Sequence, residues 1–506
     1  MIVLPPPDLH SLTDAPANQE FQMESGSYVF RDEAILGTRM RIDLTARNYS
    51  DAQAAALSAR KEIDRLNAIL NSRDPDSELS ILNRSRRQRA SPELFAVVAA
   101  AEHWRASTAG AFSGRLGRAI ALWQNASEHA PSRTELARLA RAADEAQVML
   151  ESSTRTIMRP DELEFALDAL AKGWIVDRAF AVARSSPGVT GALVEIGGDI
   201  RCGGRAPDEL RGLRGWCVGI PDAIQPADNA PLVATVHLSN HAIATSGRGP
   251  RDRIIDGIRH SPTLSPRDGW PVQHAVSVTA VSTSAADADA IATTLLTLPK
   301  EQAIAWADRH GVFARIVNKE EAIHTQAADA AASQVRFAAA NLPRTKSKAT
   351  ATNTWPKNWQ ALITFTAPPR QLVRDEHFRA PYMAMWITDL NNRPIRTLLL
   401  VGTRLEYQED NYIWWSINEG NVKQLAAIRS MSTSGSGIYK TLWDGTDDQY
   451  KQVPGGTYVL HIETSRERGK HTHRSLTLDF SKPKPFTEQI PSTEEAGGLF
   501  IDFYRP

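Results

Sequence analysis

Apolar residues in the first part of the chain recur at helical spacing. Ala55, Leu57, Ile63, Leu66 and Leu70 lie along an alanine-rich amphipathic run, and Ser50 with Gln53 three residues on is the expected cap. Ser91-Pro92-Glu93 sets a cap before a first-turn proline, which predicts a second helix running past Val97, Ala101 and Trp104. A third helix is expected from near Ser132, with Glu135 at capping-box spacing. From Gly191 the period changes to short apolar runs broken by glycine. Ala192 to Ile196, Trp216 to Ile220, Val233 to Leu238 and Val276 to Val281 read as strands. Ala286 to Leu298 returns to helix, and Glu301 to His310 adds another that Gly311 can cap. Helices interleaved with strands predict an α+β domain over residues 27–325, preceded by a loose, Pro-rich arm over 1–26.

Residues 326–354 have linker composition, rich in Ala, Ser, Lys and Thr. Beyond them, alternation becomes strict. Trp359 to Thr366, Tyr382 to Ile387, Thr397 to Val401, Tyr412 to Ser416, Thr457 to Glu463 and Leu476 to Phe480 predict strands, with turns such as Pro454-Gly455-Gly456 between them. An all-β sandwich is therefore expected over 355–481, and an irregular tail over 482–506.

Composition narrows the partners. With 58 basic and 58 acidic residues, the chain has no bulk field to attract nucleic acid or anionic lipid, so a partner must be recognised locally. No stretch approaches the roughly 18 apolar residues of a membrane helix, and the opening Met1-Ile2-Val3-Leu4 is too short for a signal peptide's core. Cys202 and Cys217 lack zinc spacing and read as two free or buried thiols, with a bridge between them the alternative.

Four segments carry candidate chemistry. Gly197-Gly198-Asp199-Ile200 is either a tight corner or a place where backbone approaches a ligand. Asp289 and Thr293, four residues apart, share one helical face, and such hard oxygens suit Mg2+; the alternative is a first-turn Asp answering the helix dipole and a Thr bonded back to its own helix. Lys172, beside Gly173, either meets a phosphate as a point charge or is a solvated surface residue. Thr245-Ser246-Gly247 is a small-residue turn able to offer donors to a ring edge or phosphate.

Taken in order, these pieces resemble the ApbE family of FAD:protein FMN transferases. The similarity runs through Leu36-Gly37-Thr38, Asp76-Ser77-Glu78-Leu79-Ser80 with Leu82-Asn83, Gly110-Ala111-Phe112-Ser113 and Ala171-Lys172-Gly173 with Asp177. It continues through the Gly-Gly-Asp turn, Val218-Gly219-Ile220-Pro221, Thr245-Ser246-Gly247, Pro266-Arg267-Asp268-Gly269 and the Asp289 helix. The resemblance implies a T-fold-related domain that binds FAD and Mg2+ and attaches FMN to a Thr or Ser hydroxyl of a target protein, releasing AMP. It places the metal at Asp289, Thr293 and the carbonyl of Ala169, and FAD at Leu36, Arg73, Ala111, Phe112, Ser113, Asp168, Lys172, Thr245, Ser246, Gly247 and Leu264. Catalytic roles fall to Asp289 and, by proximity, to His260.

Three positions depart from the family pattern. Pro262 stands where a histidine is expected, with His260 two residues earlier; Ala166 replaces an aspartate near Lys172; and Arg73 replaces an aromatic. FAD hydrolysis to FMN and AMP, or a flavin-binding carrier or sensor, are the alternatives these changes leave open. The end of the chain resembles a domain of unknown function found fused to such transferases, and its Trp443-Asp444-Gly445-Thr446 run is similar to the Ig-like module of flagellar hook-capping proteins. His471 and His473 are expected at the surface rather than in a metal site. The resemblance further implies a bacterial, periplasmic or cell-envelope setting and a target that includes membrane-bound redox subunits. Thr190-Gly191-Ala192 is followed by Leu193, so the chain itself lacks the target pattern there.

Overall fold

A computed structural model of the chain describes residues 26–126, 129–207, 215–223, 227–229, 232–249, 252–318, 321–325, 337–339, 355–366, 382–401, 411–418, 437–465, 471–492 and 497–505. Its first part is built on an eight-stranded sheet whose spatial order follows the chain: Gly26–Ile35, Thr38–Ala46, Val189–Ile196, Asp199–Gly204, Ala242–Gly247, Ser277–Ser282, Phe313–Val317 and Ala322–His324. Each neighbouring pair is antiparallel. Such a sheet buries each face against a separate layer. One face receives helix Tyr49–Leu70 through Ala52, Ala55, Ala59, Ile63 and Leu66, together with helix Asp168–Ser185. The other meets a three-stranded sheet of Trp216–Pro221, Leu232–Leu238 and Phe337–Ala339, with Leu193, Ile200 and Cys202 packed on Trp216, Val218 and Val236.

The helix signals hold closely. Ser91 caps Pro92–Ser107, its side chain accepting from the Leu94 N–H. Ser132 precedes Arg133–Glu145, and Gly311 follows the last helical turn with a φ of 62°. The first helix starts two residues earlier than Ser50 implies, because the Asn48 side chain accepts from the Asp51 N–H. Cys202 and Cys217 are not bridged to each other; Cys202 is buried and Cys217 half-buried.

The described residues from 355 onward form two four-stranded sheets over a shared core. Three expectations need correction. Tyr412 to Ser416 is a helix, Tyr412–Asn418, not a strand; the buried Glu463 carboxylate of a neighbouring strand accepts from the N–H groups of Ile413 (3.0 Å) and Trp414 (2.8 Å) and so caps its first turn. The stretch from 482 is not an irregular tail, because Phe486–Ile490 and Leu499–Tyr504 pair within one sheet and Leu499, Ile501 and Phe503 point into its core. Within the expected linker, Phe337–Ala339 pairs with the strand Leu232–Leu238; all other residues of 326–354 lie outside those described, as does almost all of the N-terminal arm.

The edge strand Ile438–Trp443 of the sandwich is covered by the first part of the chain. The Asp228 N–H donates to the Lys440 carbonyl (2.6 Å), and the Lys440 N–H donates to the Asp228 carboxylate (2.7 Å). Asn229 pairs its side-chain amide with both backbone groups of Leu442 at 2.8 Å. These bonds satisfy backbone groups that an open edge would leave bare. Arg39 ion-pairs with Asp228 and lies over the Tyr439 ring at 4.4 Å.

His461 is buried beneath Trp386 and bonded to Thr388 (2.9 Å) and His473 (3.1 Å). Burial, and then the neighbouring His473, push its imidazole down to about 4 from 6.5. Below 6.5 the unfolded chain therefore takes up a proton that the folded chain refuses, so stability falls as pH drops from 6.5 toward about 4. Denaturant midpoints for the sandwich transition should decline across that window, and His461→Gln should flatten the decline; a slope unchanged by the substitution would contradict this.

Candidate active site

Helices Gly117–Asn125, Asp168–Ser185 and Ala285–Thr297, the end of strand Ala242–Gly247 and loops at Gly37, Arg73, Gly197 and Pro262 line a cleft of about 450 Å³, so that Thr245-Ser246-Gly247 is strand and not the turn expected. Helix Ala285–Thr297 follows strand Ser277–Ser282 and is capped by Ser284, whose side chain accepts from the Asp287 N–H. Its next residues present Asp289 and Thr293 to the cleft at i, i+4 spacing. Helix Asp168–Ser185 presents Asp168, Ala169 and Lys172 to the same cleft. The Gly197-Gly198 turn takes φ values of 58° and 96°, a conformation suited to glycine. Glu195 accepts from the Gly198 N–H at 2.9 Å and fixes the turn.

Charge is concentrated at one point. Lys172 ion-pairs with Asp199, which is 1% exposed and adjoins Asp289, itself 4% exposed. Burial first, then the Asp199 carboxylate, push the Asp289 carboxyl well above the usual carboxylate range, with Lys172 acting against the rise. One oxygen of Asp289, Oδ2, is buried without a hydrogen-bond partner. The Ser246 and Thr293 hydroxyls lie 3.2 Å apart, and those of Thr245 and Thr279 2.9 Å apart. Asp289, Thr293 and Ala169 thus bring a carboxylate, a hydroxyl and a chain segment with a carbonyl to one wall. That donor set fits Mg2+, which favours hard oxygens and takes few ligands from protein. Among the described residues, no group of three or more His, Cys, Asp or Glu is arranged to hold a metal, at His471 and His473 or elsewhere.

The cleft gathers most of the residues expected from sequence. Arg73, Ala111, Ser113, Asp168, Ala169, Lys172, Thr245, Ser246, Gly247, Leu264, Asp289 and Thr293 all line it. Three do not. Leu36 sits at φ 48° in the turn beside Gly37, and Gly37 lines the cleft in its place. Phe112 is 1% exposed and packs toward Trp104, its N–H held by the Thr108 hydroxyl at 3.0 Å. His260 is the main correction. It is 5% exposed, with its ring 5.1 Å from Trp123 and 5.9 Å from Trp270, and it does not line the cleft. Burial and the nearby Arg248 push its imidazole below the ordinary value. The loop does not shift His260 into the place of the missing histidine; Pro262 itself lines the wall.

Several supports were legible only as motifs. Ser77 caps the helix Glu78–Arg84, and Glu78 accepts from the Ser91 N–H at 2.6 Å. Asn83 clamps the Phe165 backbone with bonds of 2.9 and 2.8 Å, steering the chain toward Ala166 and Asp168. Asp199, whose sequence context shows only the Gly-Gly-Asp turn, is a partner of Lys172. Trp123 and Arg253 also line the cleft; Arg253 donates to the Trp123 and Gln124 carbonyls at 2.8 and 2.6 Å, at a helix end with carbonyls to satisfy.

Replacing Asn83 with Ala should remove both bonds to Phe165 and lower the melting temperature, by about 1 to 3 kcal/mol of stability. A thermal transition unchanged from the wild type would argue against that clamp.

The ApbE family matches residues 36–316. A second match, described as a predicted periplasmic protein (DUF2271), covers residues 368–497. The FAD:protein FMN transferase of Vibrio cholerae is 31% identical over 285 residues, covering 53% of this chain and 81% of that protein. The FAD:protein FMN transferase of Chlamydia trachomatis is 29% identical over 276 residues, covering 52% and 83%. The solved ApbE protein of Thermotoga maritima superposes with a TM-score of 0.53 at 24% identity, over 60% of this chain and 97% of that one. The ApbE flavin transferase structure from Vibrio cholerae gives 0.51 at 24% identity, over 60% and 98%. By the extent of the family match, the chain belongs to the ApbE family.

Proposed function

We propose that the chain transfers FMN from FAD to a Thr or Ser hydroxyl of a target protein, with Mg2+ as the metal and AMP as the product. The observation that carries this reading is the buried, unpartnered Asp289 oxygen in a cleft also lined by Thr293, Ala169 and Lys172. Mg2+ bound there would neutralise charge building on phosphate oxygens as the pyrophosphate is cleaved. Asp289 and Thr293 would hold the cation from one helix. Lys172, fixed by Asp199, would meet a phosphate as a point charge. Thr245, Ser246 and Arg73 line the walls where the rest of the dinucleotide would lie.

In the transfer, the acceptor oxygen forms a bond to the phosphorus of the FMN half. The bond from that phosphorus to the bridging oxygen breaks, AMP leaves, and the hydroxyl proton passes to a base or to solvent. Among the described residues no histidine lines the cleft, and this favours a second reading, in which water takes the place of the acceptor and FAD is hydrolysed, or flavin is only carried. The match to a predicted periplasmic domain supports a periplasmic setting, and the sandwich would then present or recruit the target. No described helix is long and apolar enough to cross a membrane.

Incubation with FAD and Mg2+, with and without a peptide carrying Ser or Thr followed by Gly-Ala-Ser/Thr, separates these readings. Peptide gaining the mass of FMN with release of AMP supports transfer; AMP without modified peptide supports hydrolysis; intact bound FAD supports the carrier. Asp289→Ala should abolish turnover, and Lys172→Ala should lower it by about 100-fold. Undiminished turnover in Asp289→Ala would contradict the proposed cation seat.

A further inference from the structure

The two helices that carry the proposed cation seat pack against each other, and each bears a stripe of matching spacing. On helix Asp168–Ser185 the stripe is Ala169, Gly173 and Asp177; on helix Ala285–Thr297 it is Ala285, Asp289 and Thr293. Both run at i, i+4, i+8, the row that forms a packing ridge. Gly173 and Asp177 both meet the start of the second helix, whereas Ala169 lies at the cleft with Asp289 and Thr293. The helices therefore run in opposite senses, with their contact at one end and the seat further along.

Two features fix that contact. A Cβ at Gly173 would stand 2.3 Å from the Ala285 carbonyl oxygen and 2.8 Å from the Ala286 nitrogen. Both are backbone atoms at a helix start and cannot swing aside, so any side chain there must push the helices apart. The Asp177 carboxylate then accepts from two N–H groups of that start, Ala285 to Oδ1 at 2.8 Å and Ala286 to Oδ2 at 3.0 Å. With Ser284 taking the Asp287 N–H, the first three N–H groups of the helix are satisfied, two of them by a residue of its neighbour. Arg201 lies 3.7 Å from Asp177 on the sheet side and holds the carboxylate from behind.

We infer that Gly173 and Asp177 are positioning residues for the reaction: they set the sliding register of one helix against the other, and so the distance between the Ala169 carbonyl and the Asp289 and Thr293 oxygens. This rests on the reading of the cleft as an FAD and Mg2+ site. Neither residue lines the cleft, so neither would touch substrate or cation. A cation demanding near-regular oxygen geometry tolerates little drift in that distance, whereas flavin packing against the walls tolerates more.

The test titrates Mg2+ against full-length protein and FAD, following bound flavin by fluorescence, with kcat and the KM for Mg2+ measured in parallel. Asp177→Ala and Gly173→Ala should each raise the Mg2+ midpoint about 10- to 100-fold, as loss of supporting groups around a metal does. Asp177→Asn keeps one acceptor and should fall between wild type and Asp177→Ala. Saturating Mg2+ should restore most of kcat in all three. A lowered melting temperature with an unchanged Mg2+ midpoint would make the two residues supports of stability only and overturn the inference, and circular dichroism separates either result from misfolding. If wild-type protein binds no flavin at any Mg2+ concentration, it is the reading of the cleft that fails, an outcome distinct from wild-type binding with unaltered variants.

Discussion

A carboxylate kept from water with one oxygen unbonded is costly, and the geometry around Asp289 is organised by that cost. The neighbouring Asp199 adds repulsion, and Lys172 offsets only part of it. A cation at this point would relieve both terms at once, which is why the cleft reads as a seat for one. The remaining framework holds that carboxylate still: an N-terminal cap at Ser284, a close-packed helix partner and a strand on the sheet side.

The sheet order explains how residues distant in sequence arrive together. Because the strands are added one after another, the turn at Gly197 and the segment Thr245 to Gly247 lie on neighbouring strands, Asp199–Gly204 and Ala242–Gly247. The strand Ser277–Ser282 then pairs with the second of these and delivers the helix bearing Asp289. The sandwich is attached close by. Arg39 uses its guanidinium on Asp228 and Tyr439, while its carbonyl accepts from the N–H of Gly197, a cleft residue, at 3.1 Å. One residue thus joins the wall of the cleft to the contact between the two parts of the chain.

Much of this was legible in the sequence, where periodicity and local chemistry sufficed. The i, i+4 relation of Asp289 and Thr293, the Ser91-Pro92 helix start and the Gly197-Gly198 turn are local signals, and each appears in the structure as read. What escaped depends on partners far away. His260 is removed from the cleft by Trp123 and Trp270, and its neighbours in sequence do not reveal that burial. The helix at Tyr412 begins where Glu463 supplies its cap, so a short apolar run alone could not distinguish it from a strand. The alternation of Leu499, Ile501 and Phe503 was present in the sequence, but the Pro- and Glu-rich residues before it masked a strand that lies inside a sheet.

The most direct measurement is a crystal grown with FAD and Mn2+ in place of Mg2+, with anomalous scattering used to locate the metal. The account predicts a peak within coordination distance of the Asp289 carboxylate, the Thr293 hydroxyl and the Ala169 carbonyl, with a phosphate oxygen completing the shell. Flavin density in the cleft with the metal peak elsewhere, or with none, would contradict it.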